Sequence, residues 1–192
     1  MYKKLLGLSL ALLAFPAFAG DISYNYLELG YQKVDIDDPG IGVDVDGDGF
    51  GANGSFELGD SWFFRVGYSQ ADFDFGIDLD EASAGIGWHT VMSNNADFYA
   101  LIQYVRAEAS ISGFPGSLDE DGVGAEIGVR GMVTDNVELA GSIAYVDLGD
   151  AGDGTSFGAQ LLYNFTQNFA AGVFLDFEED ATGYGAGVRL YW

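Results

Sequence analysis

Cysteine is absent and histidine occurs once, at His89. The first absence excludes disulfides, thiolate nucleophiles and thiolate metal centres, and the second removes most histidine-based metal and triad chemistry. Lysine and arginine number 7 against 30 aspartates and glutamates, a formal charge of −23, so the chain offers no basic surface for nucleic acid. Proline is limited to 3 residues, while 29 glycines are too many for a helical protein, where each interior glycine costs about 1 kcal/mol. No apolar run approaches the roughly 20 residues that a membrane-spanning helix needs. What is present is 48% hydrophobic and 15% aromatic, enough to fold around a core and biased toward β structure.

The first residues read as an address. Met1 to Lys4 is a short basic start, Leu5 to Phe15 is almost wholly apolar, and Ala17-Phe18-Ala19 is a small-x-small cleavage site. Residues 1–19 are therefore expected to be a cleaved secretory signal, and 20–192 a single mature domain. Without cysteine there is no lipoprotein route, so export leaves periplasm, medium or outer membrane.

From Ile22 onward the hydrophobic period is two. Ten segments alternate between an apolar parity and a polar or small one, near 22–34, 48–58, 62–74, 79–92, 97–110, 122–133, 137–148, 155–165, 169–178 and 183–192. In the third, Phe64, Val66 and Tyr68 alternate with Arg65, Gly67 and Ser69; in the sixth, Val123, Ala125, Ile127 and Val129 alternate with Gly124, Glu126, Gly128 and Arg130. The apolar parity carries charge only at segment ends, such as Lys33, Asp72, Arg106, Asp147 and Glu179. Lipid enforces that pattern, since a charge at the bilayer midplane costs about 2–4 kcal/mol. Apolar-parity aromatics gather at both ends. Phe56, Trp62, Trp88, Phe98, Tyr163, Phe165 and Trp192 mark one, and Tyr31, Phe50, Tyr68, Tyr104, Tyr145, Phe157, Phe177 and Tyr184 the other, as two interfacial girdles. Short turns near 59–61, 92–96, 134–136 and 166–168 alternate with longer connections near 35–47, 110–121 and 148–154, the asymmetry of periplasmic turns and outer loops. The expected fold is an all-β, closed antiparallel transmembrane β-barrel of ten strands, its last strand paired with its first, because an open edge in hydrocarbon leaves backbone groups unpaired. An eight-stranded barrel is the alternative and would require merging segments around 169–192.

The signal, the alternating strands and the terminal every-second-residue series Tyr184, Ala186, Val188, Leu190 and Trp192 resemble the small bacterial outer-membrane β-barrel proteins of the OmpA/OmpX type. The resemblance spans the mature chain and implies an outer-membrane location. It also implies that Tyr184, Val188, Leu190 and Trp192 act as the signal read by the barrel-assembly machinery; the usual last residue there is Phe, from which Trp192 departs. The start at Tyr24-Asn25-Tyr26, followed by Glu28 and Gly30-Tyr31, is similar to a subset linked to biofilm behaviour and host interaction.

The inward parity holds Glu28, Glu57, Arg65, His89, Glu126, Arg130, Glu138, Asp176 and Arg189 among small residues. Hairpin spacing places Arg65 diagonal to Glu57 and Arg130 diagonal to Glu138, and brings Arg189 opposite Glu28 across the closing seam. These pairs are expected either to brace a filled barrel, since buried charges are normally paired, or to line a narrow pore. The outer connections are acidic. Asp44-Val45-Asp46-Gly47-Asp48-Gly49 matches the first half of a calcium loop, with ligands at Asp44, Asp46 and Asp48, but its twelfth position is Ser55 instead of Glu; a solvated acidic loop that attracts divalent ions is the competing reading. Lys33 and Arg106 face outward at the upper rim, where lipopolysaccharide phosphates would lie. His89 falls just before a periplasmic turn and reads as a polar core residue. The chain is thus expected to be a monomeric, non-enzymatic barrel without a cofactor. Its acidic outer loops would serve envelope integrity or surface interaction, and the alternative is a narrow passive channel.

Overall fold

A computed structural model describes residues 22–37, 44–93, 95–113 and 116–192. The expected signal at 1–19, the mature start at Gly20 and the loop carboxylate Asp38 lie outside the described residues. Ten strands follow one another: β1 (Tyr26–Ile36), β2 (Val45–Glu57), β3 (Trp62–Phe73), β4 (Ile77–Ser93), β5 (Ala96–Ile111), β6 (Ser117–Met132), β7 (Val137–Asp147), β8 (Asp153–Thr166), β9 (Phe169–Glu178) and β10 (Ala181–Tyr191). Each pairs antiparallel with its chain neighbours, and β1 pairs with β10 from Tyr26↔Tyr191 to Ile36↔Ala181, so the sheet is a closed barrel. The eight-strand alternative is excluded, because β9 and β10 are separate strands with their own register from Ala181↔Glu178 to Leu190↔Phe169.

The alternation seen in the sequence sets which way each side chain points. In β1 the buried positions are Tyr26, Glu28, Gln32, Val34 and Ile36, and Leu27, Leu29 and Tyr31 face out. Both girdles are on the outer surface. Phe56 lies 5.5 Å from Trp192 and Trp62 pairs in register with Trp88 at the turn end, while Tyr31 lies 5.1 Å from Phe50 at the loop end. Even strand number puts the segment before β1 and the end of β10 at the turn end.

Strands run further on the loop side than the hydrophobic pattern predicts. β4 begins at Ile77, β6 at Ser117 and β2 at Val45. Most of the connection expected at 110–121 is strand, because the β5–β6 hairpin continues past the girdle through Arg106↔Asp121 and Glu108↔Asp119. Above the girdle the alternation keeps its period and reverses its sign. Asp46, Asp48, Asp72 and Glu108 face out there, and Val45, Ala71, Phe73, Ile77, Leu79, Ala107 and Ala109 face in. Among the described residues, fifteen buried apolar side chains pack into one cluster, an apolar layer inside the barrel at this level, contributed by β1 to β5, β7, β10, Leu148 and the 3-10 turn Gly149–Ala151. A second apolar cluster of Tyr24, Phe63, Tyr99 and Leu101 lies in the turn-side half of the lumen.

Several inward glycines make room for this filling. A Cβ at Gly87 would sit 2.1 Å from the Phe63 ring, which is itself buried. Gly87→Val is therefore expected to lower unfolding stability by about 1–3 kcal/mol, the usual cost of overpacking. The urea midpoint of the folded, heat-modifiable gel band measures it, and Phe63→Leu in the same chain is expected to restore part of the loss.

Candidate functional site

Among the described residues, seventeen buried polar or charged side chains line the inside of the barrel. At the seam, Glu28 and Arg189 are register partners, and the buried Arg189 guanidinium donates to the Glu28 carboxylate. Gln160 on β8 closes a ring: Arg189 Nη2 donates to Gln160 Oε1 at 3.1 Å, and Gln160 Nε2 donates to Glu28 Oε1 at 3.2 Å. The guanidinium also lies over the Tyr26 ring, 4.5 Å from its centroid. One charge pair thus ties the first strand to the last, and the neutral amide links both to β8.

Arg65 does not meet Glu57. Its register partner is Ser55, and its guanidinium crosses the lumen to bond Glu126 on β6, which also accepts from the Tyr99 hydroxyl. Glu57 sits at the end of β2, where Oε1 accepts from the Tyr24 backbone N–H at 2.9 Å and Oε2 from Asn25 Nδ2 at 2.9 Å. The diagonal pairing fails because Glu57 is consumed in clamping the segment before β1. The expected Arg130 and Glu138 pair is present, with Nε to Oε1 at 3.6 Å.

Tyr24, held by that clamp, is buried in the lumen. It stacks on His89 at 4.0 Å and on Phe63 at 4.6 Å, with the Arg130 guanidinium 4.7 Å from its ring centroid. His89 Nδ1 lies 3.6 Å from Asp97 Oδ2. The lone histidine is therefore part of an aromatic and charged floor. Gln160, Tyr99, Tyr24 and Asp97 escape the sequence reading; Tyr99 and Asp97 share the inward parity of β5 with the fifth segment's Leu101, which is the signal that could have found them.

The outer rim is ordered by tyrosines of the girdle. Tyr31 Oη donates to Asp48 at 3.1 Å, Tyr68 Oη to Asp80 at 2.5 Å, and Tyr104 Oη to Asp121, so hydroxyls at the edge of the hydrocarbon fix carboxylates just above it. Asp44 precedes β2, but Asp46 and Asp48 lie within it, in register with Asp35 and Lys33. An extended strand cannot wrap a cation as a calcium loop does, so the loop geometry implied by that motif is not formed. Among the described residues, no three His, Asp or Glu side chains converge as metal ligands. Arg106 is held by Asp119 at 2.9 Å and Asp121 at 3.5 Å, and Lys33 faces Asp48 across the strands.

The outer membrane protein beta-barrel domain family matches residues 5–165. The chain belongs to that family. Among solved structures it is similar to the transport unit of the autotransporter AIDA-I from Escherichia coli, at 11% identity and a TM-score of 0.56, covering 100% of this chain and 97% of that one. The KdgM porin is similar at 9% identity and a TM-score of 0.51, covering 87% of this chain and 99% of that one. These likenesses are of fold. None of the curated proteins matches the chain in sequence. As an outer-membrane barrel it has its turn end toward the periplasm, which puts the acidic rim, Lys33 and Arg106 on the outer side. Tyr184, Val188 and Leu190 face lipid from β10, and Trp192 follows at its periplasmic end, 59% exposed.

The barrel's two charged regions yield separate predictions. Arg65→Met leaves Glu126 buried beside an apolar chain and is expected to cost about 3–5 kcal/mol, with Arg65→Met/Glu126→Gln recovering part of it, both read from urea unfolding in detergent. On the rim, Asp72 stands above the girdle, where partial loss of hydration raises its pKa; the hydrogen bond and charge of its register partner Asp78 and the charges of Asp48 and Asp80 raise it further. The folded state then holds the proton more tightly than the unfolded one, so stability falls as pH rises above the ordinary aspartate value. Asp72→Asn is expected to flatten the decline in melting temperature between pH 4 and pH 7, values chosen about the reference aspartate pKa.

Proposed function

We propose that this outer-membrane barrel is a non-enzymatic, non-conducting protein that serves the cell envelope through its acidic outer rim, in surface interaction or envelope integrity. The observation that carries the reading is the packed apolar cluster inside the outer half of the barrel, in which Val105, Ala107 and Ala71 have no exposed surface. Ions and small polar solutes cross such a layer only at a large desolvation cost. Beneath it, the Arg189–Glu28–Gln160 ring and the Arg65–Glu126 tie span the interior as braces. With the inside filled, the surface left for function is the rim, where girdle tyrosines hold Asp48, Asp80 and Asp121 in place.

In this reading the protein is a monomer exported by its signal and inserted by the barrel-assembly machinery through the β10 segment. Lys33 and Arg106 meet lipopolysaccharide phosphates, and the rim carboxylates attract divalent ions without a dedicated site. The competing reading, a narrow passive channel, draws on the polar belt and on the fold shared with the KdgM porin.

Planar-bilayer recordings of the refolded mature protein separate the two, with heat-modifiable gel migration as the control for folding. The expected result is a silent bilayer from folded protein. Discrete, reproducible openings that change on Arg130→Ala would establish the channel instead.

A further inference from the structure

The hairpin joining β3 to β4 ends in a 3-10 turn, Asp74–Gly76, whose middle residue is Phe75. Phe75 stands at φ 65°, ψ 14°, the only non-glycine residue at positive φ among the described residues. A bulky side chain is strained in that region, where glycine is not. Packing does not repay the strain, because the residue is 68% exposed. The turn is nonetheless braced on both sides: Asp46 N donates to Asp74 Oδ2 at 3.4 Å, and Ser112 N donates to the Gly76 carbonyl at 2.7 Å. The ring is therefore presented from a fixed turn.

Its surroundings distinguish it from the membrane-facing aromatics. Tyr68 belongs to the outer girdle, and the chain passes through the outward Asp72 before reaching the turn, which lifts Phe75 clear of hydrocarbon. Asp72 and Asp78 flank the turn as register partners, with Asp48 opposite Asp72 on β2. An aromatic anchor ringed by charge, held in a strained backbone at an exposed apex, has the make-up of a binding hot spot. The sign of the ring selects the partner.

We propose that Phe75 anchors a docking surface on the outer face of the barrel for a polypeptide that presents an apolar face bordered by lysine or arginine. This deepens the surface-interaction reading above and rests on it. Phe75 supplies the buried contact. Asp48, Asp72, Asp74 and Asp78 steer the approach and fix the orientation, and the chain's large negative charge adds to the steering.

The test uses the refolded protein in nanodiscs of zwitterionic lipid and two synthetic probes, an amphipathic lysine-leucine peptide and an oligolysine of equal charge. The expected result is binding of the lysine-leucine peptide that Phe75→Ser weakens by at least about tenfold, with heat-modifiable migration and oligolysine binding unchanged. Asp72→Asn/Asp74→Asn is expected to weaken both probes and to reduce the salt dependence. Phe75→Gly is the second variant. It relieves the positive-φ strain, so it is expected to lose peptide binding while its melting temperature holds or rises. The proposal is overturned by equal peptide affinity in the parent and Phe75→Ser, by no peptide binding to the parent, or by equal uptake on empty nanodiscs, which would make lipid the occupant. Any of these with a silent bilayer leaves the closed-barrel reading standing, whereas discrete openings undo that reading whatever the peptides do.

Discussion

Hydrocarbon cannot hydrogen-bond a peptide group, and each unsatisfied group there costs several kcal/mol. A chain that crosses the membrane with strands must therefore pair every strand on both sides, which forces β10 back onto β1. Closure creates an interior, and the interior has to be filled or flooded. Here the inward residues fill it in three levels: an aromatic floor around Tyr24, a belt of paired charges, and an apolar layer toward the outer mouth. The same strands thus obey two solvents. Between the girdles lipid lies outside and polar groups lie inside. Above the outer girdle water lies outside, and apolar side chains turn inward as in a soluble barrel.

The charged belt follows from closure as well. Three buried arginines, Arg65, Arg130 and Arg189, each lie within 4.0 Å of a buried glutamate carboxylate. Such pairs rarely stabilise a fold relative to apolar packing, but breaking one is costly, so they tend to fix an arrangement. The Glu28–Arg189 pair sits on the closing seam, where a wrong register would strand both charges. The Arg65–Glu126 tie spans from β3 to β6 and resists flattening of the cross-section.

Much of this is legible in residues adjacent along hairpins or at the seam. Glu28 with Arg189 and Arg130 with Glu138 follow from period and turn length alone, as do both girdles. Arg65 with Glu126 does not, because a contact across the lumen depends on strand tilt and barrel size, which hairpin spacing leaves open. Gln160 is hidden for the same reason. The apolar layer is visible in retrospect as a reversal of sign: Val45-Asp46-Gly47-Asp48 and Ile77-Asp78-Leu79-Asp80 alternate just as the membrane segments do, with the charges now outward. Reading charge as the end of a strand truncates β2, β4 and β6, and it also turns an extended acidic strand into the first half of a calcium loop.

The proposed closure of the lumen to water rests on the apolar layer. The chain has no cysteine of its own, so Ala107→Cys, at a position with no exposed surface, introduces a single reporter into that layer. Its rate of reaction with a small charged thiol reagent is compared with that of Ser110→Cys on the same strand. The lumenal thiol is expected to stay unreactive in the folded barrel and to react fully after unfolding. Labelling at the rate of the rim thiol in folded protein would show that water reaches the layer.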